Sequence, residues 1–199
     1  MTWHQVYKDT FGPKTKWPKV DEKDLRTKVV DGEYRFTAKE KGYSHWVSAP
    51  KAKLGQLQDL GDVRVSASVT VPDGTVDAGL MCREADGNGY LFLISPSAYQ
   101  IRRLEGADST PLAQRFPTTV GHAVPAGTPV VVTADCTGSG LPDDPITLTL
   151  SIDGDEVLQV HDRGALITAG AIGLFVSSAA ATTDPTARFD DLTVSVPKS

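Results

Sequence analysis

The side chains best suited to bind a ligand are concentrated in one stretch of the sequence, Ala78–Glu105. Aromatic rings stack on the C–H faces of sugars, and a guanidinium group donates paired hydrogen bonds to hydroxyls or carboxylates. Both residue types occur here on short apolar runs that a tight turn brings together. The ligand-binding candidates are Arg83, Tyr90, Tyr99 and Arg103.

The predicted direction of Arg83 follows from the cysteine before it. Successive residues of a strand point to opposite faces of the sheet, so Arg83 lies on the open face if Cys82 lies in the core. Tyr90 is then expected beside Arg83 in a solvent-facing groove, where alanine substitutions change stability by less than about 1 kcal/mol. The alternative is that the tyrosines are half-buried sheet residues and that Arg83 pairs with Glu84 or Asp135.

Trp46 is a further binding candidate, because its ring, beside His45 and close to Tyr43, offers an aromatic platform. The four histidines lie at positions 4, 45, 122 and 161 without the spacing of metal ligands. The sequence contains neither a G-x-S-x-G elbow nor an H-E-x-x-H motif. No catalytic residue is identified, and the sequence predicts a binding protein rather than an enzyme.

A structural calcium ion is an expectation that rests on three aspartates. The first strand, VYKDTF, and the last, FDDLTVSV, are expected to lie side by side, because an open antiparallel sandwich must cover its edges. Asp9 in the first strand would then meet Asp190 and Asp191 in the last. Carboxylate oxygens are ligands that Ca²⁺ prefers. No other cofactor is expected.

The two cysteines, Cys82 and Cys136, are predicted to form a disulfide. By two-residue alternation both point inward with apolar neighbours, and no C-x-x-C pair is present. Two buried thiols that stay unlinked are the alternative. A disulfide favours a protein outside the cytoplasm, so an extracellular or cell-surface location is expected.

Charge is unevenly distributed along the chain. The formal net charge is −5, with +4 in residues 1–60 and −9 in the remainder. A mild basic patch attracts anionic polymers, although a solvated lysine-rich edge is the simpler interpretation. The runs of like charge are too short to indicate nucleic-acid binding. No segment is long enough to span a bilayer, so membrane insertion is not expected, and any secretion signal or anchor is expected outside this sequence.

The pattern of short apolar runs and turn residues predicts about twelve strands. Val63–Val71 and Ile146–Ile152 alternate apolar and polar residues, which is typical of strands with one buried face. Val130–Cys136 is nearly all apolar and is expected to be buried on both faces. Asp21–Thr27 is charged and is expected to be a loop or one turn of helix. The sequence predicts a single all-β domain over residues 1–199, a two-sheet antiparallel β-sandwich.

Short segments in order along the chain resemble the concanavalin A-like jelly-roll superfamily, and within it the laminin-G-like and 3-keto-disaccharide-hydrolase-like domains of bacterial extracytoplasmic proteins. They extend from about Val6 to Val196 and are VYKDTF, AGLMCR followed by GYLFLI, ADCTG, SIDG, GAIGLFV and ARFDDLTV. The resemblance implies two curved sheets whose concave face or rim loops bind sugars or protein partners. Relatives that cleave β-glucans carry E-x-D-x-x-E on one strand, a spacing that this sequence lacks.

The function expected on these grounds is that of a non-catalytic carbohydrate-binding or sensing module with a glycan or cell-surface partner. One alternative is a protein-interaction or structural domain that uses the same sandwich without binding sugar. Another is a hydrolase of the keto-disaccharide type whose catalytic groups the sequence does not identify.

Overall fold

The computed structural model describes residues 1–39, 42, 44–50, 59–72, 76–116, 123–164, 167–178 and 185–198. These residues form fourteen strands and no helix, so none of them belongs to a helix that could cross a membrane. The strands are β1 (Trp3–Asp9), β2 (Leu25–Val30), β3 (Glu33–Ala38), β4 (Ser44–Ser48), β5 (Val63–Thr70), β6 (Val76–Ala85), β7 (Asn88–Ile94), β8 (Tyr99–Glu105), β9 (Asp108–Arg115), β10 (Val130–Thr137), β11 (Ile146–Ile152), β12 (Asp155–Asp162), β13 (Ala171–Ser178) and β14 (Thr186–Pro197). Tyr43 and His122 lie outside the described residues.

The strands form two antiparallel sheets that pack face to face. The large sheet has eight strands in the order β12-β11-β10-β5-β14-β3-β2, with β1 also paired to β14. The small sheet has six, in the order β4-β13-β6-β7-β8-β9. The predicted all-β sandwich is confirmed, with fourteen strands in place of about twelve. The first and last strands pair as predicted, from Trp3 opposite Pro197 to Asp9 opposite Leu192.

One hydrophobic core fills the space between the sheets, and two-residue alternation supplies it. Every second residue of β5 from Val63 to Val69 is at most 1% exposed, and the same holds for β11 from Ile146 to Ile152. Each fully buried valine or leucine side chain of this kind stabilises the fold by about 1.5–3 kcal/mol.

Two expectations about individual strands are wrong. Val131 in β10 is 46% exposed, because the outer face of the large sheet is open to solvent and only alternate residues of β10 reach the core. The charged segment that was expected to be a loop or helical turn instead runs into β2, which begins at Leu25. Leu25 and Thr27 are buried on one face of β2, and the charged residues between and after them point to solvent.

The small sheet is apolar on its outer face as well. The side chains buried there, each at most 3% exposed, are Met81, Leu91, Leu93, Leu104 and Phe175. Trp46 of β4 packs against them and is itself partly buried. The central strand β7 is therefore buried on both faces, which accounts for its nearly unbroken apolar sequence.

The predicted disulfide between Cys82 and Cys136 is confirmed. Cys82 belongs to β6 of the small sheet and Cys136 to β10 of the large sheet, and their Cα atoms are 6.7 Å apart. Both residues are fully buried. The bond therefore joins the two sheets through the core.

Asp77, on β6, is expected to make stability depend on pH. Burial raises the pKa of its carboxyl above the ordinary value of 3.8, and a hydrogen bond from Ser95 and the charge of Arg102 offset only part of this. A carboxyl whose pKa is raised by folding lowers stability at pH values above that pKa, and the loss disappears once the pH falls below 3.8. We expect Asp77→Asn to raise the melting temperature at about pH 7 and to leave it unchanged at about pH 3.

Thermal melts of wild type and variant at the two pH values measure this effect. Asp143→Asn, at an exposed loop position, serves as the control. Equal melting temperatures of wild type and Asp77→Asn at neutral pH would show that the Ser95 and Arg102 contacts fully offset the burial of the charge.

Candidate functional site

A β-bulge in β6 decides where Arg83 points. Cys82 pairs with Tyr90 and Ala85 with Asn88, so two residues of β6 lie opposite one residue of β7. Arg83 occupies this bulge with a φ of 53°, and the two-residue alternation is interrupted there. The predicted solvent-facing position of Arg83 is therefore wrong, and its side chain is 0% exposed.

Arg83 connects three loops at one end of the sandwich. Its Nε donates to the Gly61 carbonyl at 2.9 Å, Nη2 to the Gly138 carbonyl at 2.7 Å, and Nη1 to the Ile167 carbonyl at 3.3 Å. Asp62 Oδ1 lies 3.4 Å from Nη2 and also accepts the Gly138 amide at 2.9 Å. Burial lowers the pKa of Arg83, and Asp62 opposes that shift. Arg83 therefore holds the three loops together and is not available to a ligand.

Tyr90 is buried for a simpler reason. It lies directly opposite Cys82 in the antiparallel pair, and directly opposed residues point to the same face of a sheet. It is 0% exposed, so its predicted place in an open groove is also wrong. Its hydroxyl donates to Asp162 Oδ2 at 3.2 Å. Burial, and then the charge of Asp162, raise the pKa of Tyr90, which keeps the phenol protonated as a donor.

Three of the predicted ligand-binding residues lie on β7 and β8: Tyr90, Tyr99 and Arg103. Among the described residues, Arg103 is the one of these three that lines a cleft. Its Nη1 donates to both carboxylate oxygens of Asp162, at 3.1 and 3.2 Å, and its Nε faces Glu105 Oε1 at 3.3 Å. Burial opposes its charge, but Asp162 and Glu105 outweigh this and raise the pKa of Arg103. Asp162, only 5% exposed at its side chain, also accepts the Gly164 amide at 3.0 Å. A buried, fully bonded carboxylate thus fixes the orientation of an accessible guanidinium.

The cleft beside this guanidinium, here called the Arg103 cleft, has a volume of about 440 Å³. Asp86, Asn88 and Glu105 add carboxylate and amide groups to the guanidinium, and Ile167 adds apolar surface. The remaining lining residues are Ala85, Gly164, Thr168 and Ala169. Such a mixture suits a small polar ligand with hydroxyl groups and C–H faces.

The two remaining aromatic candidates do not reach the Arg103 cleft. Tyr99 lies in the core at 0% exposure, where burial raises its pKa. Trp46 lies on the outer face of the small sheet, on the strand at the sheet edge, against the apolar side chains described above. Neither is among the residues that line the cleft.

The three aspartates of the expected calcium site lie on the paired strands β1 and β14. Asp9 accepts hydrogen bonds from the Tyr7 hydroxyl, the Phe11 amide and the Thr15 hydroxyl at 2.7–2.9 Å. Asp191 pairs with Lys8 at 3.4 Å, and Asp190 lines a small polar cleft on the large sheet. Within the described ranges, no three metal-ligating side chains gather. Calcium binding stays a prediction.

Asp162 and Asp62 were not among the site residues predicted from the sequence. Each lies at or beside a strand end, where an isolated aspartate is most often solvated. The side chains that bind these two carboxylates, Tyr90 and Arg83, lie more than 20 positions away in the sequence. Asp162 stands at the end of β12, two residues before Gly164, whose amide it accepts. That local Asp-x-Gly pattern is the only signal in the sequence, and it is a common one in turns.

No protein-family model matches the sequence, and no curated protein matches it. Among solved structures, a protein of unknown function with a galectin-like fold from Bacillus subtilis is similar with a TM-score of 0.69 and 13% identity, over 98% of this chain and 97% of that one. The carbohydrate-binding module CBM66 from Bacillus subtilis is similar with a TM-score of 0.54 and 16% identity, over 96% and 94%. The apo Crh5 transglycosylase is similar with a TM-score of 0.64 and 14% identity, over 97% and 84%. These identities show the fold alone: the chain has the two-sheet jelly-roll fold that the resemblance to concanavalin A-like domains implied.

Proposed function

We infer that this domain binds carbohydrate in the Arg103 cleft without cleaving it, as a module of a protein that acts outside the cytoplasm. The observation that carries the inference is the guanidinium of Arg103, accessible on one side and held by buried Asp162 on the other. Prior orientation of this kind reduces the entropy that binding must offset. Glu105, Asp86 and Asn88 supply acceptors and donors for neighbouring sugar hydroxyls.

The structural neighbours support a carbohydrate ligand, but whether the domain binds or cleaves it has to be argued from the residues of the cleft. One is a carbohydrate-binding module and another a transglycosylase, so the same fold serves both binding and catalysis. In this chain both carboxylates near the cleft already have partners: Glu105 pairs with Arg103, and Asp162 accepts from Tyr90, Arg103 and Gly164. This favours a role in holding the site in place over a role in acid–base catalysis. The disulfide supports a location outside the cytoplasm. The laminin-G-like assignment is part of the proposal.

A glycan array with xylan oligosaccharides, ganglioside glycans and neutral glucans, followed by calorimetry on the glycans bound, tests the proposal. Glu105→Gln removes a charged acceptor at a half-exposed position, and we expect it to weaken binding about tenfold. Glu156→Gln, at an exposed position of β12, is the matched control and should bind as wild type does. A glycan bound equally well by wild type and Glu105→Gln would place the site elsewhere, and release of reducing ends would refute the non-catalytic role.

A further inference from the structure

Three cationic side chains lie directly opposite one another across three adjacent strands of the large sheet. Lys28 of β2 is paired in register with Arg35 of β3, and Arg35 with Arg188 of β14. All three point away from the core, between the buried residues of their strands. We call this row the cationic ladder. Like charges directly opposite one another destabilise a sheet. The arrangement therefore points to a role in binding and not to a role in stability.

Nearby acids orient the ladder without neutralising it. Glu33 accepts from Arg35 Nε at 3.2 Å and pairs with Arg188 Nη1 at 3.3 Å, so one carboxylate fixes two guanidinium groups. Asp31 lies 3.4 Å from Arg35 Nη2. Across the described part of the chain, Lys28 has no ion-pair partner, and it is exposed. Arg188 Nη2 also donates to the Gly127 carbonyl at 3.3 Å. The ladder therefore offers the remaining N–H donors of two oriented guanidinium groups and the ammonium group of Lys28.

Two clefts extend along the ladder and share Arg188. The larger, of about 350 Å³, is lined by the ladder together with Arg26, Thr37 and Thr186. The smaller, of about 170 Å³, continues to Ser68 and Thr70 of β5, with Glu33 and Asp190 at its side. Arg188 is in register with Thr70, so the groove crosses four adjacent strands. Positive groups at one end and hydroxyl groups at the other line a continuous path.

We propose that this groove binds an acidic polysaccharide, whose carboxylate or sulfate groups contact the cationic ladder. Neighbouring strands lie about 4.8 Å apart, so the ladder presents charges at closely repeated intervals, which suits a polymer with a charge on successive sugars. Guanidinium forks bind carboxylates and sulfates with paired hydrogen bonds. The groove lies on the outer face of the large sheet and is independent of the Arg103 cleft.

A glycan fits this groove better than a nucleic acid does. The described residues that line the two clefts include no exposed aromatic ring on which a base could stack. The serine and threonine hydroxyls along the groove match the hydroxyl groups of a sugar chain.

The test compares four probes at low and high salt: polygalacturonate, dextran sulfate, neutral dextran and single-stranded oligothymidine. We expect wild-type protein to bind one or both acidic glycans at low salt, to release them as salt screens the charges, and not to bind dextran. Lys28→Glu should weaken binding by at least about tenfold, while its melting temperature stays equal or rises because a like-charge contact is removed. Polygalacturonate and dextran sulfate separate carboxylate from sulfate recognition.

Lys198→Glu is the matched control, with the same change of net charge. Lys198 follows the far end of β14, ten residues beyond Arg188 and about 30 Å away along an extended strand, so this variant should bind as wild type does. An equal loss of binding in both variants would mean that general charge, and not the ladder, attracts the polymer. Tighter binding of oligothymidine than of either acidic glycan, or no binding of acidic glycans at low salt, would overturn the proposal. Glu105→Gln should leave this binding unchanged, which keeps its outcome separate from that of the Arg103 cleft.

Discussion

Replacing Arg83 by methionine is expected to lower the free energy of unfolding by about 3–4 kcal/mol, because three part-buried carbonyls lose their donor at once. Methionine fills similar space but cannot donate hydrogen bonds. The carbonyls of Gly61, Gly138 and Ile167 would lose their guanidinium donor, and Asp62 would lose its cation. A fully buried acceptor left without a donor costs about 1–3 kcal/mol, and these part-buried carbonyls lie at the lower end of that range.

Urea denaturation of wild type and Arg83→Met measures the loss, and Arg115→Met, at an exposed position of β9, is the control. Arg83→Lys should fall between wild type and Arg83→Met, because one ammonium group cannot reach three loops in the geometry of a guanidinium. A change below about 1 kcal/mol in Arg83→Met, the range usual for surface positions, would show that the three loops hold together without it.

Removal of the disulfide is expected to have an effect of similar size. The bond closes a loop with a sequence separation of 54 residues, which corresponds to about 4 kcal/mol in the chain-entropy model. For a domain of this length, that loss lowers the melting temperature by roughly 8–16 °C. The Cys82→Ala/Cys136→Ala variant should show it in thermal melts, and wild type under reducing conditions should approach the variant.

The same variants reveal whether the disulfide and Arg83 act together. Cys82 precedes Arg83 in β6, and Cys136 lies two residues before Gly138, which Arg83 contacts. Residues that share partners are seldom additive. We therefore expect the combined variant to lose less than the sum of the separate losses. A strictly additive loss would show that the disulfide and Arg83 stabilise the protein independently. A reduced wild type as stable as the oxidised protein would show that the disulfide does not stabilise it.

The alternation of apolar and polar residues was enough to predict the fold. β5 and β11 show it without interruption, and both have one buried face in the structure. The disulfide could also be predicted, because each cysteine continues an alternating set of inward residues. Val131 shows the limit of this reasoning: an apolar residue is tolerated on an open sheet face, and the sequence of β10 alone does not say which face is covered.

The direction of Arg83 was harder to predict because it depends on one bulge. Counting alternate residues through Cys82 and Arg83 assumes an unbroken ladder, but the register shifts between Cys82 and Ala85. Nothing local marks the shift, since the contacts that hold Arg83 come from residues at least 21 positions away. Arg103 was chosen from the sequence because it shares a face of its strand with Tyr99, and in the structure it lies at the end of β8 beside a cleft. Its partner Asp162 comes from the other sheet, 59 residues along the chain, and strand order is not encoded in periodicity.

The bond between the sheets also limits how far the domain extends under mechanical force. Trp3 lies opposite Pro197, so tension on the two ends of the chain loads the hydrogen bonds of β1 and β14 one after another. Unfolding by this route can lengthen the chain only outside the closed loop. The 54-residue separation between Cys82 and Cys136 withholds roughly 180–190 Å of contour length. The redox state of the surroundings therefore sets the reach of the stretched domain.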